Sequence, residues 1–327
     1  MTKTQPEVQA SSERGDSPCR VLALDGGGAK GFYTIGVLKE LEAMLGRPLC
    51  ESFDLIFGTS TGAIIAALLA LGNSVDDIHA LYKEHVPSIM RRWTAPGRSA
   101  ALAQLADNVF GTQTFEDVKT GVGIVATHWK HEKPMIFKGS AKQAHGRQST
   151  FEPGFGCTMA EAIRASCSAY PFFKRTTLTT SKGDHVELFD GGYCANNPTL
   201  YALADALQTL KHEPSNVRVV SLGVGIYPEP KRWYSWLARR FMPLQLLQKT
   251  LNVNTLSMDQ LRDILFRSVP TVRINDTFAS PEMATDLMEH NLVKLDGLYQ
   301  RGGESFAAHE AALRQLMGLS AATGEVT

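Results

Sequence analysis

Cysteine is scarce, five residues in 327, an odd number with no Cys-x-x-Cys pair and no grouping with histidine. That excludes a disulfide framework and a structural zinc site, and suits a reducing compartment. Charge of one sign is lacking too, because 33 Lys plus Arg balance 33 Asp plus Glu. No overall field favours nucleic acid or an anionic membrane, so any such affinity must be local, and no nucleic-acid partner is expected. The longest apolar run, Ala63 to Leu71, is too short to span a bilayer, and the polar start of the chain lacks the charged and apolar regions of a secretion signal. These absences predict a soluble, cytoplasmic protein. Residues 1–18, rich in Ser, Glu, Pro and Gln, bury little and are expected to stay flexible.

What is present is apolar enough, at 43% hydrophobic, for one large core. Short apolar runs at Val21–Leu24, Phe53–Phe57, Gly123–Thr127, Met135–Phe137, Val186–Phe189, Val217–Leu222 and Thr271–Ile274 read as strands. Helical spacing occupies Gly31–Leu45, Ala63–Gly72 and residues 76–90, 158–167 and 198–211. Strands that are apolar throughout and alternate with helices predict an α/β fold whose mostly parallel sheet is covered on both faces. Residues 92–114 lack a clear period and read as a lid or cap insertion, and 228–245 is a second lid candidate. Residues 282–317 read as two helices.

Gly58-Thr59-Ser60-Thr61-Gly62 is a G-x-S-x-G element between an apolar strand and an apolar helix. In that setting the glycines permit a sharp turn that lifts the Ser60 hydroxyl above the sheet beside a helix N-terminus, whose dipole favours a developing oxyanion. The competing reading is a polar turn that caps a buried helix. Gly26-Gly27-Gly28-Ala29-Lys30-Gly31 fits G-x-G-x-x-G after a strand. A dinucleotide loop would need an acidic strand end about 20 residues on, whereas the next strand ends in the serine turn. Used instead as a donor array, the loop points amides at the space the serine attacks, with Lys30 adding positive charge.

Serine needs a base. His212, His290 and His309 lie late enough for a Ser-acid-His order, but none follows a strand end, and exposed helical positions suit them better. Asp190 directly follows Val186–Phe189 and precedes Gly191-Gly192, which puts its carboxylate at the active edge of the sheet. The alternative role is an Asx turn.

Together these elements resemble the patatin-like phospholipases. The matches are Asp25–Gly31, Gly58–Gly62, Ala165-Ser166-Cys167-Ser168-Ala169-Tyr170-Pro171 and Asp190-Gly191-Gly192, over about residues 19–225. The resemblance implies a three-layer fold with the serine on a strand-to-helix elbow. It implies a Ser60 nucleophile, an Asp190 general base and an oxyanion hole at Gly26, Gly27 and Gly28, with no metal or other cofactor. Lys30, Gly31, Gly58, Gly62, Gly191 and Gly192 would support that motif set. Lys30 stands where the family more often has Arg, which would lose the planar fork. Residues 226–327 would then be a mostly helical extension on the same domain.

A carboxylate is a weak base at its ordinary pKa near 4, so burial must raise it for this chemistry. Lys231–Phe241 mixes four basic with four aromatic residues, which suits either a lipid headgroup interface or a helix packed on the core. The runs LALDGGGAKGFYTIGVLKELE and FDGGYCANNP also resemble the bacterial CBASS-type effectors, patatin-like phospholipases of antiviral defence. That likeness implies a cyclic dinucleotide activator such as cGAMP, membrane phospholipid as substrate at the inner membrane surface, and a homo-oligomer as one candidate state. A histidine-triad esterase and a nucleotide-binding module built on Gly26–Gly31 are the alternatives.

Overall fold

A computed structural model describes residues 17–146, 148–230 and 235–320, the side chains of 235–241 excepted. The aromatic and basic side chains of 231–241, and the segments 1–16 and 321–327, therefore lie outside the described residues.

Apolar β-formers build β1 (Cys19–Leu24), β2 (Leu55–Thr59), β3 (Gly121–His128), β4 (Lys133–Lys138), β5 (Thr176–Thr179), β6 (His185–Asp190), β7 (Val217–Leu222) and β8 (Thr271–Ile274). They form one sheet in the order β5-β6-β3-β2-β1-β7-β8, with β4 also on β3. From β3 to β8 the pairings are parallel. Those of β4 and β6 with β3, and of β5 with β6, are antiparallel.

One register places the site. Residues 123–128 of β3 pair with β4 along one edge. Along the other edge, Gly121–Val125 pair with β2 and Ala126–His128 with β6, so β2 and β6 abut head to head. Thr59 faces Val125 and Asp190 faces Ala126, which brings the C-terminal ends of both strands to one point.

The helices are α1 (Gly31–Leu45), α2 (Leu49–Ser52), α3 (Thr61–Leu71), α4 (Val75–Met90), α5 (Ala95–Phe110), α6 (Met159–Ser166), α7 (Gly192–Ala195), α8 (Thr199–Ala204), α9 (Ser235–Leu265) and α10 (Leu292–Met317). All of α3 is buried, as its unbroken apolar sequence demands. Helices α1 and α10 cross at glycines, where a β-carbon on Gly36 would lie 2.0 Å from the Tyr299 carbonyl oxygen and one on Gly302 2.1 Å from that of Tyr33. Nothing larger fits between their backbones.

Several expectations change. Residues 92–114 contain a regular helix, α5, started by the Thr94 hydroxyl accepting from the Gly97 amide. Its period was obscured because small residues at Gly97, Ser99, Ala100 and Ala101 dilute the apolar stripe. The expected pair of C-terminal helices is one long α10 preceded by a single 3-10 turn at Pro281–Met283. The helix expected over 198–211 ends as α8 and continues as a π turn, Asp205–Thr209. β5 carries no apolar run, because its threonines leave only half of it buried. The strand expected at Thr271–Ile274 is present as β8 and completes the sheet beside β7.

Candidate active site

β2 delivers Thr59 to the edge of the sheet and α3 begins at Thr61, which leaves Ser60 in the corner with φ 54° and ψ −122°. This is a strained conformation for a non-glycine residue and exists because its neighbours enforce it. A β-carbon on Gly58 would meet the Gly62 carbonyl oxygen at 2.2 Å, and one on Gly62 would meet that of Leu24 at 2.3 Å. The turn closes only with glycine at both places. The Thr59 hydroxyl donates to the Ala195 carbonyl at 2.7 Å, and the Ser60 amide donates to Ser166 Oγ at 2.9 Å. Ser166 donates in turn to the Val125 carbonyl at 2.6 Å. The serine is thus tied to β3 through a buried hydroxyl.

Ser60 Oγ donates to Asp190 Oδ2 at 2.7 Å, across 130 positions of sequence. The other carboxylate oxygen accepts the Gly192 amide at 2.7 Å. Asp190 is 2% exposed, and burial pushes its pKa up to about 6 although both hydrogen bonds oppose the rise. Gly191 and Gly192 leave no room for side chains, with Val125 O 2.1 Å from a β-carbon on the first and Leu251 Cδ2 2.6 Å from one on the second.

The glycine loop divides in its use. The Gly26 amide donates to the Asn196 carbonyl at 3.0 Å, so it is already engaged, contrary to the expectation that it joins the oxyanion donors. The Gly27 and Gly28 amides have no partner among the described residues, and both glycines line the cleft that holds Ser60. The loop is clamped from behind. A β-carbon on Gly27 would lie 2.5 Å from Val224, one on Gly28 2.5 Å from the Leu287 carbonyl oxygen, and one on Gly31 2.5 Å from Thr61 Oγ1. Lys30 does not reach the cleft: it is 3% exposed, held against the charges of Asp286 and Asp25, and burial lowers its pKa to about 8. The positive charge expected beside the oxyanion is turned into the interior.

Around the pair lies an apolar cleft with about 710 Å³ of empty space including its mouth. Its walls come from Val86 and Ile89 of α4, Leu102 and Leu105 of α5, and Leu247 and Leu251 of α9. Such a lining suits an acyl chain. Both lid candidates contribute, through α5 and through Leu244. Among the described residues no histidine lines it; His290 and His309 turn their Nδ1 atoms to the carbonyls of Met288 and Ser305.

Sequence reading missed the polar support behind the loop. Arg273 of β8 grips Asp25 through two nitrogens at 3.0 and 2.5 Å and holds Asp259 of α9 at 3.0 Å. Asn196 donates to the Gly26 carbonyl at 3.1 Å and to Thr255 of α9 at 2.7 Å. The Asn196-Asn197 pair after the Asp-Gly-Gly motif was the only available signal. Among the described residues no group of His, Cys, Asp and Glu is placed to hold a metal ion.

Comparison with known proteins identifies the family. The chain is 64% identical over 303 residues, 92% of its length and 95% of the other, to a cUMP-AMP-activated phospholipase of Escherichia coli. It is 32% identical to a cGAMP-activated phospholipase of Pseudomonas aeruginosa, covering 62% of this chain and 61% of that one. It is also 28% identical to the calcium-independent phospholipase A2-gamma of Oryctolagus cuniculus over 65% of this chain and 29% of the other. Residues 22–203 match the family model described as patatin-like phospholipase, and the chain belongs to that family.

Proposed function

We propose that this protein is a phospholipase that cleaves acyl esters of membrane phospholipids through a Ser60–Asp190 dyad, and that a cyclic dinucleotide switches it on. The 2.7 Å hydrogen bond between the two side chains, at the floor of an apolar cleft, carries the reading. As Ser60 Oγ attacks the ester carbonyl, its proton passes to Asp190 Oδ2 and the Gly27 and Gly28 amides receive the oxyanion. Collapse expels the lysolipid alcohol, which takes the proton back. Water, deprotonated by the same carboxylate, then releases the fatty acid from the Ser60 ester.

The histidine-triad alternative has no support, since no histidine among the described residues lines the cleft. The nucleotide-module alternative would need the Gly26–Gly31 loop open to phosphate, but Val224 and Leu287 close its back, and Gly27 and Gly28 line Ser60's cleft. Membrane contact is favoured by α9, which lines the cleft with Leu244, Leu247 and Leu251 and leaves Met242, Leu246 and Val253 more than half exposed beside them. No helix among the described residues is long and apolar enough to cross a membrane. The activator carried over is the one in the name of the 64% identical relative, cUMP-AMP, in preference to cGAMP, and with it a role in antiviral defence at the inner membrane surface.

The deciding assay is fatty-acid release from phosphatidylethanolamine and phosphatidylglycerol vesicles with and without cUMP-AMP, using Ser60→Ala as the blank. Release by the wild-type chain only with the nucleotide is expected. Release without it would discard the switch, and no release under any condition would discard the phospholipase.

A further inference from the structure

A second cleft, larger and more polar than the first, opens where β3 ends and β6 begins. It encloses about 1870 Å³ including its mouth. His128 closes β3, Lys130 lies on the turn into β4, Lys133 opens β4 opposite His128, and Lys182 stands on the turn between β5 and β6. Lys130, Lys133 and Lys182 have no acidic partner among the described residues. The acids on its walls are Glu152, whose carboxylate accepts from Ser181, and Asp184.

Lys138 and His145 have a different task. Asp205, fully buried in the π turn after α8, accepts from Lys138 Nζ at 2.5 Å, Gln143 Nε2 at 3.0 Å and His145 Nε2 at 2.7 Å. This carboxylate pins the 139–146 loop to the sheet and so builds one wall. π turns of this kind recur at functional positions. Phe155 is 40% exposed, packs at 83° to the Phe137 ring, and lines the cleft. Free ammonium groups around a pre-formed hollow with an aromatic platform are what a pair of phosphodiesters and their bases require.

From these observations we infer that this cleft is the binding site for the cyclic dinucleotide, with Lys130, Lys133 and Lys182 meeting the phosphodiesters and Phe155 stacking a base. The inference rests on the reading above that a nucleotide governs the enzyme. The site is placed to report to the dyad. β6 enters the cleft at His185 and Val186 and ends, about 17 Å on, at Asp190. β3 enters it at His128 and carries, at Val125, the carbonyl that holds Ser166 beneath Ser60.

The test is calorimetric titration of the full chain with cUMP-AMP, beside the double variant Lys133→Glu/Lys182→Glu and the single variant Phe155→Ala. Both lysines are exposed, so the fold should survive, and an unchanged Tm verifies that. Lys83→Glu on α4 is the control for a charge reversal outside the cleft. The double variant should weaken nucleotide binding by about tenfold or more and lose nucleotide-stimulated lipid release, while Lys83→Glu keeps both. Wild-type affinity in the folded double variant overturns the inference and leaves the phospholipase reading intact. A wild-type chain that releases lipid but never binds cUMP-AMP overturns the inference and the switch together. Loss of binding to phosphatidylglycerol vesicles with nucleotide binding retained would also overturn it, making the cleft a lipid headgroup site.

Discussion

Asp190 is kept buried at a cost to stability. Its folded pKa, about 6, lies above the value near 4 of an unfolded chain. The folded state therefore disfavours the carboxylate, so the penalty is absent below about pH 4, grows as pH rises through that interval, and is complete above about 6. Asp190→Asn should therefore abolish ester hydrolysis yet raise stability at pH 8 by up to about 3 kcal/mol, the gain shrinking toward pH 4. Urea titrations at the two pH values check this. For the wild-type enzyme, kcat/KM should fall as pH drops through about 6, because a protonated Asp190 cannot accept the serine proton. Ser166 acts on the same centre without touching substrate. Ser166→Ala would strand the Ser60 amide and the Val125 carbonyl, and should lower kcat about tenfold or more with KM little changed. Equal losses in kcat and Tm-normalised folded fraction would instead reveal a purely structural hydroxyl.

Among the elements, α9 does most to join the later chain to the site. One face lines the apolar cleft with Leu247 and Leu251, and another holds, through Asn254, Thr255 and Asp259, the residues Asn196 and Arg273 that support the glycine loop. Arg273 of β8 locks this arrangement by binding Asp25 and Asp259 at once. Asp25 is 1% exposed, so removal of the guanidinium strips a buried carboxylate of its hydrogen-bonded cation. Arg273→Met should cost about 3–5 kcal/mol, read from chemical denaturation. Arg273→Lys should recover only part, because one ammonium cannot reproduce the two-nitrogen grip on Asp25.

At the scale of the whole molecule, the segment after residue 225 is not a detachable appendage. It supplies β8 to the edge of β7, α9 to the cleft and α10 to the face of α1. A chain ended at residue 225 would expose the β7 edge and the apolar surface of α1, and should be insoluble or fail to unfold cooperatively. A soluble fragment with a sharp thermal transition would contradict this. Parallel pairing across the sheet demands such completeness, since each central strand is stable only with both neighbours and both covering layers in place.

The sequence by itself determined what is local: apolar runs, the glycine-flanked turn that strains Ser60, and an aspartate at a strand end before two glycines. These features obey short-range steric rules and are legible without contacts. Three matters required the tertiary structure. Which base meets Ser60 depends on β2 and β6 abutting along one edge of β3, a register that no spacing encodes. Which glycine amides stay free depends on Asn196 reaching back to Gly26, and where Lys30 points depends on Asp286 and Asp25. The support of Asp25 by Arg273 spans 248 positions. Long-range partners such as these are chosen by sheet order and by packing in a dense interior, which local pattern does not specify.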